Sequence, residues 1–70
     1  MMPLTLADRD EELIIKKVGG NGEMKKHLED LGFTAGGRIS VVSSLSGNLI
    51  VNVKESRVAI SEEMAKKIMV

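Results

Sequence analysis

The chain has 70 residues, with ten basic and ten acidic side chains, no cysteine and one aromatic, Phe33. That length allows a single domain, residues 1–70, with one small core, since so short a chain buries only about 60% of its unfolded surface. The composition excludes disulfides and thiolate zinc sites. A zero net charge and a lone aromatic argue against a nucleic-acid surface, which draws on excess Lys and Arg and on stacking rings. No run approaches the roughly 18 to 20 apolar residues that cross a bilayer. Residues 1–10 lack the basic start and long apolar run of a signal peptide. A soluble cytoplasmic protein is the expectation.

Residues 12–18 are short and β-branched and read as the first strand, ended by Gly19 and Gly20. Asn21 suits a helix N-cap, because its side chain can accept from the free backbone N–H groups of a first turn. Met24, Leu28 and Leu31 recur at helical spacing, and Gly32 follows as a left-handed helix stop. Residues 39–45 form a second strand, with Ile39, Val41, Ser43 and Leu45 expected on one face. Ser46, Gly47 and Asn48 make a turn, and residues 49–53 return as a third strand, giving a hairpin. After a turn at residues 54–56, residues 57–60 are a short fourth strand. Ser61 caps a helical turn at residues 62–67, whose acids precede its lysines as the helix dipole favours. Ile68, Met69 and Val70 are expected to close the sheet as a last strand paired with the first. The fold class is therefore all-β with inserted helices: a small SH3-like barrel of about five strands, with one helix between strands 1 and 2 and a short helix before the last strand. Closing the sheet hides most of its edges.

Catalysis finds no support in the residues. Ser43, Ser44 and Ser46 lie in the hairpin with no histidine base at a fixed spacing, and the acids are spread over helix starts and turns. The run Gly19-Gly20-Asn21-Gly22 lacks the Lys and Ser/Thr of a phosphate loop and reads as a plain turn. His27, the single histidine, has Glu23 four residues before it and Asp30 three after, so all three can share one helix face. Such a set could hold a divalent transition metal, Fe2+ or Zn2+. Against that, Met24 and Leu31 flank His27, and Lys25 and Lys26 bring positive charge. The alternative is a half-exposed histidine at the rim of the core.

Leu28 and Phe33 carry two readings. They pack the helix on the barrel, or one of them lines a groove that accepts a partner's peptide or helix, with the hairpin turn at Leu45 and Gly47 as the opposite wall. Phe33 is the stronger groove candidate, because it follows the helix stop. The edge of the hairpin could also accept an added strand.

The series Leu28, Leu31, Gly32, Phe33 and Gly36, then Ile39 and Val41, a hairpin with Gly47, Arg57-Val58-Ala59-Ile60, and a final Ala65, Ile68 and Val70 resembles the FeoA family over nearly the whole chain. Leu4, Leu6 and Ala7 stand where the family has its short leucine-bearing first segment, and Ile15 with Gly19-Gly20 resembles its first strand and turn. The resemblance implies an SH3-like barrel and a non-enzymatic accessory role in ferrous iron uptake. It also implies protein–protein contact with the cytoplasmic GTP-binding region of the membrane transporter FeoB, with no cofactor required. The alternative it raises is a free-standing regulatory module related to the C-terminal SH3-like domain of DtxR-type metal-dependent repressors, which would bind a peptide or a transition metal. Two departures stand out: where many members have a glycine, this chain has Asp10-Glu11 and Glu55-Ser56, so those turns are expected to differ in shape.

Overall fold

A computed structural model describes residues 1–70. A 3-10 turn at Leu4–Leu6 precedes β1 (Leu13–Ile14), β2 (Lys17–Val18), α1 (Gly22–Asp30), β3 (Arg38–Leu45), β4 (Asn48–Val53), β5 (Ser56–Ser61), α2 (Glu62–Ala65) and β6 (Ile68–Met69). One antiparallel sheet has the order β1-β3-β4-β5, and β2 pairs with β6 in a second. These strands and two short helices make the SH3-like barrel anticipated from the sequence, with six strands rather than about five.

The extra strand arises because the first predicted strand divides. Leu13 and Ile14 lie against β3, and Ile15 N–H still donates to Gly37 on that side at 2.8 Å. One residue later Lys16 N–H donates to Met69 at 2.7 Å, and Lys17 and Val18 lie against β6. The chain changes partners between Ile15 and Lys16, and this turns the corner of the barrel. The expected pairing of the last strand with the first therefore holds for its second half. Met2 and Val70 then exchange backbone bonds of 2.9 and 2.8 Å, bringing the two ends of the chain side by side.

Helix α1 begins where expected: Asn21 is extended, and its side chain accepts from Met24 N–H at 2.8 Å. Its end is a Schellman motif. Gly32, at φ +108°, donates to Glu29 C=O at 3.0 Å, and Phe33 N–H reaches back to Leu28 C=O at 3.0 Å. This motif brings the residue after the glycine over the residue five before it, so Phe33 and Leu28 enter the core together. Ser61 caps α2 by accepting from Met64 N–H at 3.2 Å; the helix stops at Ala65, short of the predicted Lys67.

The core is wholly aliphatic apart from Phe33. Leu4, Ile15 and Val18 come from the first part of the chain, Leu28 and Phe33 from α1 and its stop, Ile39, Val41, Leu49, Val51, Val53 and Ile60 from the main sheet, and Ala65, Ile68 and Val70 from the end. No polar side chain is buried.

β3 departs from simple alternation. Val41 lies opposite Val51, but the next pair is Ser43 with Ile50, leaving Val42 without a partner as a β-bulge. An extra residue reverses the side on which later residues emerge. Leu45, expected on the core face with Ile39 and Val41, is 69% exposed instead.

Both long hairpins turn through two residues at positive φ: Ser46 (50°) and Gly47 (81°), then Lys54 (49°) and Glu55 (66°). Such turns match the twist of the strands and favour Asn and Gly. Asp10 also has φ 63°. At each of the two places where the sequence departs from the family's glycines one residue, Asp10 or Glu55, is in the left-handed region, and Glu55 lacks the short polar side chain that lets Asp10 tolerate it. A left-handed conformation costs an L-residue roughly 1–2 kcal/mol, part of which glycine returns as chain entropy. Glu55→Gly should accordingly raise unfolding stability by about 0.5–1 kcal/mol in urea titrations, with an unchanged denaturant slope.

Candidate partner-binding surface

From Ile39 to Val53, between Arg38 and Lys54, the chain has no charged residue, although 29% of it is charged. This stretch is the β3–β4 hairpin. Its inward side chains build the core; its outward ones form a neutral face. Val42 and Ile50 are half-buried there and Leu45 stands free near the turn. Alternation already turns Val42 outward, and the bulge extends this face toward the turn by sending Leu45 outward as well. Gly47 forms the turn beside Leu45 and is exposed. Next to the turn runs an open slot, with Thr5, Ala7 and Arg9 on one wall, Val41, Ser44, Gly47 and Leu49 on the other, and Glu62 at the α2 end. Arg9 is laid alongside β3 by a parallel bridge to Val41, and Asp10 N–H donates to Val41 C=O at 2.8 Å.

Of the four residues expected at a partner groove, Leu45 and Gly47 are at the surface. Leu28 and Phe33 are not: each is 0% exposed. The idea that Phe33 escapes the helical stripe fails because the Schellman motif, rather than the stripe, fixes its direction. A buried pair cannot meet a partner without unfolding the helix stop, so both are corrected to core residues. The charge-free run was the missed signal, since it marks the hairpin as the place where a neutral surface can form.

Glu23, His27 and Asp30 do share one side of α1 as their spacing required. They line a shallow, open depression whose other residues are Asn21, Met24 and Lys26. All three are exposed, no second element faces them, and no three His, Asp or Glu side chains gather as a cation would need. Lys26 places an ammonium in the same depression. A metal centre needs ligands that converge from more than one direction, so these residues do not fit one, and the candidate triad is corrected to a solvated helix face.

Side-chain hydrogen bonds to the backbone are confined to the two helix caps. Asn21 already occupies one of the free N–H groups that an anion would use at the start of α1. The serines Ser43, Ser44 and Ser46 belong to β3 and its turn, and His27 to α1. The two ion pairs, Arg38–Glu12 at 3.6 Å and Lys66–Glu62 at 3.8 Å, are both on the surface and contribute little to stability.

Two outcomes are expected. Phe33→Ala should lower unfolding stability by about 3–5 kcal/mol, as for a fully buried aromatic, when measured by chemical denaturation. Calorimetric titration with Zn2+ should give the same isotherm for the native chain and for His27→Ala; a site lost on that substitution would restore the metal reading.

The FeoA domain family model matches residues 2–70. A protein of Methanocaldococcus jannaschii, provisionally named Fe(2+) transport protein A, is 34% identical over 70 residues, which is 100% of this chain and 85% of that protein. The crystal structure of an iron uptake regulatory protein, FeoA, superposes with a TM-score of 0.90 at 27% identity, covering 99% of this chain and 93% of that one. Stenotrophomonas maltophilia FeoA, solved in complex with zinc and described as a procaryotic SH3 domain protein, gives 0.85 at 24% identity over 100% of this chain and 89% of that one. A manganese-dependent transcriptional repressor shares the fold at a TM-score of 0.87 and 14% identity, with this chain covering 38% of it. At that identity the likeness concerns architecture alone, as the expected relation to repressor domains implied. Family match, relative and fold agree from one end of the barrel to the other: the chain belongs to the FeoA family of ferrous iron transport accessory proteins.

Proposed function

We propose that this chain acts as one non-enzymatic, cytoplasmic binding unit, residues 1–70, that contacts the GTP-binding region of a FeoB-type ferrous iron transporter. The observation that carries the reading is the neutral outer face of the β3–β4 hairpin with Leu45 standing exposed at its end. An exposed aliphatic side chain set among uncharged neighbours lowers the desolvation cost of docking, and it can fill a partner's apolar pocket as an anchor. Gly47 keeps the turn beside it small. The slot between Arg9 and Ser44 opens beside the same turn, on the other side of the hairpin from Leu45, and offers a second contact there. Leu28 and Phe33 support the surface from beneath by fixing α1 to the barrel.

The mechanism is differential affinity. A protein that binds one conformation of the transporter more tightly shifts its population toward that conformation, by no more than the ratio of the two affinities. No metal is needed in this scheme; ferrous iron is the transporter's cargo. The fold shared with metal-dependent repressors carries no role by itself, and the open depression on α1 gives a metal-sensing version of it no ligands.

Isothermal titration of the native chain against the transporter's soluble GTP-binding domain tests the proposal. Leu45→Asp should weaken binding by about 30-fold or more, the loss of an interface anchor worth about 2 kcal/mol, while the unfolding midpoint stays within about 2 °C. Unchanged affinity in Leu45→Asp contradicts the assignment of the hairpin face.

A further inference from the structure

The register lays out the outer face of the main sheet in rows. Ser40, Asn52 and Arg57 stand abreast on β3, β4 and β5, and Ser43, Ile50 and Ala59 form the next row. Leu45, opposite Asn48, closes the face at its far end. Asn48 and Asn52 are separated by about 14 Å of strand, so Leu45 and Arg57 mark opposite ends of one face. Arg57 carries a charge there that nothing in the chain answers. Arg38, the other base on this side, is paired with Glu12 at 3.6 Å. Both line a depression with the turn residues Lys54 and Glu55, so that two bases meet two acids. The Lys54 stem also leans toward the end of α1, where a Cβ on Gly32 would lie 3.5 Å from it. Arg57 is outside that depression, exposed, and in no ion pair. The charge-free stretch of β3 and β4 beside it supplies no acid.

We infer that Arg57 is the charge-reading residue of the partner surface. It takes a carboxylate, an Asp or Glu side chain of the transporter's GTP-binding region, set about 14 Å from the apolar pocket that receives Leu45. This deepens the proposed function and rests on its assignment of the hairpin face. Docking removes water from the neutral centre of the face at little cost, but a guanidinium covered without an acceptor is costly. A carboxylate removes that cost, because the planar guanidinium can hold it through two parallel N–H···O bonds. Asn52, directly opposite, offers an amide N–H beside the same point. A surface with a base there meets like charge and is rejected. Arg57 also blunts the edge of the sheet, as any charge would; the carboxylate contact is what distinguishes arginine from lysine at this position.

The test is calorimetric and stopped-flow titration of the full chain against the transporter's soluble GTP-binding domain, free of nucleotide. Arg57→Glu should weaken binding at least about tenfold, mostly through slower association, with the unfolding midpoint unchanged because the side chain is exposed and unpaired. The native association rate should fall with added salt, and Arg57→Gln should remove most of that fall. Arg57→Lys should keep the association rate but dissociate about threefold faster, having lost the fork. Reversing the acids of the domain one at a time should yield one variant that binds Arg57→Glu better than it binds the native chain. Unchanged affinity in Arg57→Glu, with Leu45→Asp still weakening binding, overturns this inference and leaves the docking face in place. Unchanged affinity in both overturns the face and the inference together. An effect of Arg57 seen only with the nucleotide-loaded domain marks a phosphate contact and overturns the carboxylate assignment.

Discussion

The reciprocal hydrogen bonds between Met2 and Val70 hold both ends of the chain in one place, and most of the structure follows from that closure. Two-residue strands such as β1, β2 and β6 have no stability of their own. They exist because the ends are joined, β2 and β6 across from each other and β1 carried by its continuation into Ile15 and Lys16. The closure also supplies core: Leu4, Ile15, Val18, Ile68 and Val70 all come from the outer thirds of the chain. Without them the β3–β4–β5 sheet would have one face in water, and Leu28 and Phe33 would have little to pack against. In a domain this small there is no surplus of buried surface to compensate.

Closure frees the middle of the chain for other work. With the ends sealing the barrel, the hairpin can dispense with charge from Ile39 to Val53, and all ten acids and ten bases fall outside that stretch. A monomer with no need for a partner gains nothing from a neutral exposed face, which is a hazard for association. Its retention beside an exposed Leu45 fits a protein whose work is contact. The bulge at Val42 links fold to surface: the same extra residue that bends β3 around the core sends Leu45 outward.

Much of this was legible in the sequence. The α1 cap at Asn21, the stop at Gly32, both hairpins and the Ser61 cap are set by local chemistry, so local patterns announce them; the closing strand was legible only as an apolar end to the chain. The family resemblance ordered these pieces into a barrel. Three features escaped because they are decided by tertiary partners. The change of partner between Ile15 and Lys16 leaves no trace in an unbroken β-branched run. The bulge depends on matching β3 to β4 around the barrel, and alternation alone misassigned Leu45. Phe33 looked free because attention fell on the helical stripe, although Leu28, Gly32 and Phe33 together spell the Schellman contact. Glu23, His27 and Asp30 were correctly placed on one side of α1; what the spacing could not reveal is that nothing faces them.

The most direct test of the account is an NMR titration of the isotope-labelled chain with the transporter's soluble GTP-binding domain. The account predicts backbone shifts concentrated from Val42 to Ile50 and along Thr5 to Arg9, with Glu23, His27 and Asp30 unmoved. Shifts confined to α1, or none at all at concentrations where the domain binds guanine nucleotide normally, would contradict it.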